Sequence, residues 1–110
     1  MNDIIKDIIA LNENWDDPDY CLTRVKNRGW DLMNVRKQTP EICMAAVQQN
    51  GVALIFVMNQ TPEICAAAIK QNKEACACVR LPVTEPEKTE FINRLNELLE
   101  DHETQEPKKQ

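Results

Sequence analysis

The sequence predicts an all-α fold, a short solenoid-like array of three 22-residue helix-pair repeats with N- and C-terminal capping helices. Three observations predict it. Gln38-Thr39-Pro40-Glu41-Ile42-Cys43 returns as Gln60-Thr61-Pro62-Glu63-Ile64-Cys65, twenty-two positions later. A worn third copy, Asp17-Pro18-Asp19-Tyr20-Cys21, stands one period earlier, and self-similarity at a fixed short period is the mark of stacked units. Each copy also opens with a helix start: Asp17, Thr39 and Thr61 are suited to cap backbone N–H groups, and a proline follows at the first helical position. Asp19, Glu41 and Glu63 then place a carboxylate in the first turn, where the helix dipole favours it.

Before the first repeat, Ile4, Ile5, Ile8, Ile9 and Leu11 form an amphipathic pattern within a segment that also carries Asn2, Asp3, Lys6 and Asp7. This predicts a capping helix over 1–13, with one face for the array and one for water. The segment from Asn12 to Asp17 is the loop that follows, and Trp15 within it plugs the cap. The repeats occupy 16–37, 38–59 and 60–81.

Within the second copy a helix runs from Pro40 to about Asn50, burying Ile42, Cys43, Ala46 and Val47 along one stripe. Gly51 stops it, and Asn-Gly suits a left-handed C-cap. The following run, Val52 to Val57, is too short to type by periodicity, so a buried strand and a short helix both fit. A second helix is preferred, because Trp30 to Val35 and Glu74 to Val79 in the other copies are poor β-branched strands. Lys73 in the third copy departs from the glycine at 29 and 51. Positions 21/43/65, 25/47/69, 32/54/76 and 35/57/79 are apolar in every copy, as a core shared between neighbours requires.

Leu81-Pro82-Val83 breaks the pattern. Thr84 and Glu87 suggest a capping box that starts a C-terminal helix over 84–101, and Phe91, Ile92, Leu95, Leu98 and Leu99 form its single apolar stripe. Residues 1–101 therefore make one domain, followed by a disordered tail over 102–110, which has no apolar residue.

Composition excludes several kinds of chemistry. The 110 residues carry a formal net charge of −5 and are 43% hydrophobic, with no serine and a single histidine, His102, in the expected tail. No nucleophile has a plausible imidazole partner. Gly29 and Gly51 are the only glycines, so no phosphate-cradling loop is available. The five cysteines suggest a metal or disulfide framework, but equivalent helices in a stack lie about 8 to 10 Å apart. A disulfide needs Cα atoms within about 7 Å. Small buried hydrophobes in a reducing compartment are the better reading. The sequence thus predicts neither cofactor, metal nor enzyme activity, and no stretch reaches the length of a bilayer span. The expected compartment is the cytoplasm, and an effector exported by a specialised system would read the same.

The string QTPEICxAAxxQN, followed by NGxALxFV, resembles a short helical repeat family of unknown function found as tandem arrays in bacterial and large-virus proteins. The resemblance covers residues 38–80, extends more loosely over 16–37 and does not reach the ends. It implies an all-α array and carries no catalytic residues.

Two functional expectations follow. If Leu54 and Val57 face inward, Val52 and Phe56 share the opposite side, with Trp30 and Asn34 at the equivalent positions of the first copy. These positions vary between copies while the core does not, as a face presented to another protein would; they are the candidate partner-binding residues of a non-enzymatic protein-binding module. The alternative is anion or nucleic-acid binding through Arg24, Lys26, Arg28, Arg36 and Lys37, which beyond the acidic first twenty residues are opposed in the first repeat only by Asp31.

Overall fold

A computed structural model describes residues 13–104, and their side chains as far as Glu100. The expected N-terminal capping helix and the last six residues of the expected tail lie outside the described residues. The order is α1 (Pro18–Asn27), η1 (Gly29–Asn34), α2 (Pro40–Gln49), η2 (Gly51–Phe56), α3 (Pro62–Gln71), η3 (Lys73–Cys78) and α4 (Glu87–Thr104), where η denotes a 3₁₀ helix. The described chain is all-α, and consecutive helices pack on each other. The three α/η pairs start twenty-two residues apart, as the repeat predicts.

The caps are those the sequence indicates. Asp17 accepts from the Asp19 N–H at 3.0 Å, and the Thr39 and Thr61 hydroxyls accept from the Ile42 and Ile64 N–H groups, each at 3.2 Å. The short second helices are 3₁₀ rather than α. Asn50 and Asn72 start two of them, each side-chain oxygen accepting an N–H two residues on, from Val52 at 3.1 Å and Glu74 at 2.9 Å. An Asn side chain that caps the next segment in this way competes with continuation of the α-helix.

The helices form two layers. α1 to α4 pack in succession, and η1 to η3 run beside them; each η helix touches its own α helix, and η1 and η2 also touch the α helix of the next unit. The core lies between the layers. Cys21, Val25, Leu32, Ile42, Cys43, Val47, Leu54, Val57 and Cys65 are all buried in it. One expected core position fails: Cys76, the counterpart of Leu32 and Leu54, is exposed. α4 packs on α3 but not on η3, so nothing among the described residues takes the place of a next unit over η3.

The glycines have a different purpose from the one their sequence context suggests. Neither has positive φ, so Gly51 is no left-handed cap. A Cβ at Gly29 would lie 2.6 Å from the Ala46 carbonyl oxygen, and one at Gly51 would collide with the Ala68 carbonyl oxygen. Each glycine lets the following unit's α-helix approach the η helix of its own unit. No unit follows the third copy, which is why Lys73 is accommodated there and η3 forms unchanged.

The glutamines of the repeat join neighbouring units and tie the start of each unit to its end. Gln49 and Gln71 accept from the Gly29 and Gly51 N–H groups of the preceding unit at 2.6 and 2.5 Å. Gln60 donates to the carbonyl of Leu54 in the preceding unit at 3.1 Å, and within its own unit donates to the Cys78 carbonyl at 3.0 Å and accepts from the Arg80 N–H at 2.7 Å. Gln38 repeats this one unit earlier, donating to the Phe56 carbonyl and accepting from Met58 N–H, each at 2.9 Å. Gln60→Ala leaves these groups unpaired and is expected to cost about 2 kcal/mol, measured as a lower urea midpoint.

At the ends, Trp15 stacks edge-on against Tyr20 with ring centroids 5.2 Å apart, and Cys21 Sγ donates to the Trp15 carbonyl at 3.1 Å. At the other end Phe91 is buried against the core, and Arg94 pairs with Glu63 at 3.2 Å. α4 begins three residues later than the expected capping box places it and continues to Thr104, so residues 102–104 belong to the helix rather than to a tail. Thr84 does not close the expected capping box: its hydroxyl donates to the Glu87 carboxylate at 3.1 Å.

Candidate functional site

The outer face of the η layer carries the variable positions. A 3₁₀ helix has three residues per turn, so positions three apart are eclipsed. In η2 this aligns Val52 with Ile55 on the outside, while Phe56 shares a side with Ala53, which is fully buried. In η1 the same rule aligns Trp30 with Met33. The outer ridge is therefore Trp30, Met33, Val52 and Ile55, with Phe56 on its inner margin.

Exposure follows this register. Met33 is 63% exposed, Ile55 52% and Trp30 39%, whereas Phe56 is partly buried against the core. At α-helical spacing Val52 pairs with Phe56, and Met33 and Ile55 fall off that face. A 3₁₀ period applied to the same six residues brings them out. Asn34 is exposed at the equivalent of Phe56.

Trp30 and Phe56 come from different units yet meet edge to face, with ring centroids 5.0 Å apart. Val52 and Cys78 are brought together in the same way one unit later, the thiol lying 4.0 Å from the Val52 carbonyl. The column 30/52/74 of one unit thus faces the column 34/56/78 of the next. This accounts for part of the variation between copies: Trp30 and Phe56 are a complementary pair across a unit boundary. Glu74, with no following unit, is exposed. Trp30 and Phe56 consequently support each other as well as facing outward.

The basic residues of the first repeat are not gathered into one site. Arg24 Nε donates to Asp31 at 3.1 Å, its NH1 donates to the Tyr20 hydroxyl at 2.7 Å and lies 3.6 Å from Glu13, and its guanidinium sits 5.2 Å from the Trp15 ring centroid. Asp31 is buried, so this pair is a structural link between α1 and η1. Lys26 and Arg28 precede η1, whereas Arg36 and Lys37 follow it. At about 2 Å per residue, the six residues of η1 separate the two pairs by about 12 Å.

A cavity of about 160 Å³ opens between the loops that precede α2 and α3, lined by Arg36, Gln38, Thr39, Cys43, Met58 and Thr61 among others. It offers weak chemistry. Burial pushes the Cys43 thiol up to about 11, and no described imidazole stands near to take its proton. Among the described residues no three Cys, His, Asp or Glu side chains converge on a point where a metal could sit, and no helix is long and apolar enough to cross a membrane.

No family, curated protein or solved structure matches this chain.

The thiols differ in a measurable way. Cys21, Cys43 and Cys65 are buried, Cys78 is intermediate and Cys76 exposed, and none is paired. All five should titrate in denaturant, while in the native protein Cys76 should label first. Cys43 and Cys65 are both raised by burial from an ordinary 9.0 to about 11. The folded state thus holds these protons more tightly than the unfolded one, so the contribution is intact below pH 9 and lost as pH rises toward 11. Urea midpoints should fall across that window, and a Cys43→Ala/Cys65→Ala variant should show a flatter alkaline profile.

Proposed function

We propose that this protein is a non-enzymatic protein-binding module that presents the outer face of its 3₁₀ layer to a partner. The observation that carries the reading is the exposure of Met33, Ile55 and Trp30 on one ridge formed by η1 and η2. Apolar side chains exposed together on a rigid, repeat-built surface are more informative than the same residues scattered singly. The resemblance of the repeat string to a helical repeat family belongs to the same reading. Nucleic-acid binding has less support, because Arg24 is engaged by Asp31 and Tyr20 and the remaining bases are split between the ends of η1.

The edge-to-face contact between Trp30 and Phe56 holds a large aromatic surface in place at low entropic cost, which suits an interface anchor. Because Phe56 also packs on the core, Met33 and Ile55 are cleaner probes than either aromatic. Met33→Asp/Ile55→Asp should leave the melting temperature within a few degrees, since substitutions at exposed sites typically change stability by about 0.5 kcal/mol. The same variant should abolish partner capture from lysate of the native host. Undiminished capture would place the interface elsewhere.

A further inference from the structure

The charge on the η layer runs opposite to that of the chain. Across its three segments, 28–37, 50–59 and 72–81, the layer holds Arg28, Arg36, Lys37, Lys73 and Arg80 against only Asp31 and Glu74. That is an excess of three positive charges on a protein whose net charge is −5. The five bases are exposed, with the Arg80 guanidinium reaching back to donate to the Ile55 and Val57 carbonyls, whereas Asp31 is buried and engaged by Arg24. Residues 50–59 carry no charge at all. The result is an apolar centre of Trp30, Met33, Val52 and Ile55, flanked at both ends of the η helices by cations from the first and third units.

From this pattern we infer that the face receives an acidic amphipathic helix of a partner protein. The inference rests on the protein-binding reading above and gives the partner its chemistry. An uncharged centre with a charged rim is the usual arrangement of a protein interface, in which apolar anchors supply the affinity and rim charges supply selectivity and on-rate. A polynucleotide would require a row of free cations along the middle of the strip to follow its phosphates, and the middle has only the Arg80 guanidinium, which is engaged by the Ile55 and Val57 carbonyls at the end of η2. An extended anionic surface of either kind, nucleic acid or membrane, would also meet the acidic remainder of this protein. A short acidic segment seated between the cations feels mainly charges within about 8 Å at physiological salt.

The test uses the full chain in a Trp15→Phe background, so that Trp30 is the sole tryptophan reporter. It is titrated with two synthetic amphipathic helical peptides that share a Leu/Phe stripe and differ in having Glu or Lys on the polar face. Single-stranded DNA and phosphatidylserine vesicles are titrated alongside. The Glu peptide should bind at least about tenfold more tightly than the Lys peptide, and Arg36→Glu/Lys37→Glu should erase that preference. Ile55→Asp should weaken both peptides. Equal binding of the two peptides at the Trp30 face would leave the binding surface standing and overturn its acidic selectivity. Failure of both peptides would overturn the two readings together. Competition by DNA or vesicles against the Glu peptide would overturn the inference in favour of a polyanion.

Discussion

Gly51→Ala should destabilise the protein by about 3 kcal/mol, as overpacking of a closed contact does. The sign of this result is diagnostic. At a glycine whose backbone any residue can adopt, alanine normally stabilises by about 0.4 to 1 kcal/mol through the unfolded state, and Gly51 has no positive φ. A loss can arise only from the collision of the new Cβ with the Ala68 carbonyl oxygen. That oxygen belongs to the α3 backbone and accepts from the Asn72 N–H at 2.9 Å, so it has little freedom to move aside. Relief requires units two and three to part, which also stretches the 2.5 Å bond from Gly51 N–H to Gln71. Gly29→Ala should behave alike at the preceding boundary. Lys73→Ala, at the same repeat position, should change stability by no more than about 0.5 kcal/mol. Urea unfolding of the three variants measures all of this, and a stabilised Gly51→Ala protein would refute the close-approach account.

Leu54→Ala should cost about 3 to 4 kcal/mol, within the range for removing a fully buried leucine and leaving a cavity. Leu54 has no exposed surface and lies in the middle unit, among Val47, Val57, Cys65 and other members of the core cluster. With units on both sides, the surrounding helices cannot collapse into the space. Cys76→Ala provides the internal comparison, because it alters the same column of the third unit. Its side chain is exposed, so the change should be near zero. Equal losses at 54 and 76 in calorimetric or urea melts would show that a further layer covers η3 in solution.

The parts of the fold legible in the sequence are those set by local chemistry. Asp17, Thr39 and Thr61 before proline locate three helix starts, because a cap and its orphan N–H groups lie within three residues of each other. The apolar columns identify Val25, Val47, Leu32 and Leu54 as core, because the same packing environment recurs with every period. The features that escaped are those created between units or at an end. Gln38, Gln49, Gln60 and Gln71 carry no sequence signal of their role, because their partners at Phe56, Gly29, Cys78 and Gly51 lie about twenty residues away in the chain.

Met33 and Ile55 are not legible as surface anchors in the sequence because α-helical and 3₁₀ periods diverge within six residues, and only the backbone geometry decides which applies. Asp31 shows the same limit in the opposite direction: its charge suggests solvent, but Arg24 satisfies it in a buried position. The sequence by itself therefore determined the repeat, the caps and most of the core, since each depends on residues close in the chain or on positions repeated every period. Only the tertiary structure decided which faces remain open. Burial at Leu54 but exposure at Cys76, and glycine at 51 but lysine at 73, depend on whether another unit stacks there, which is a property of the assembled array.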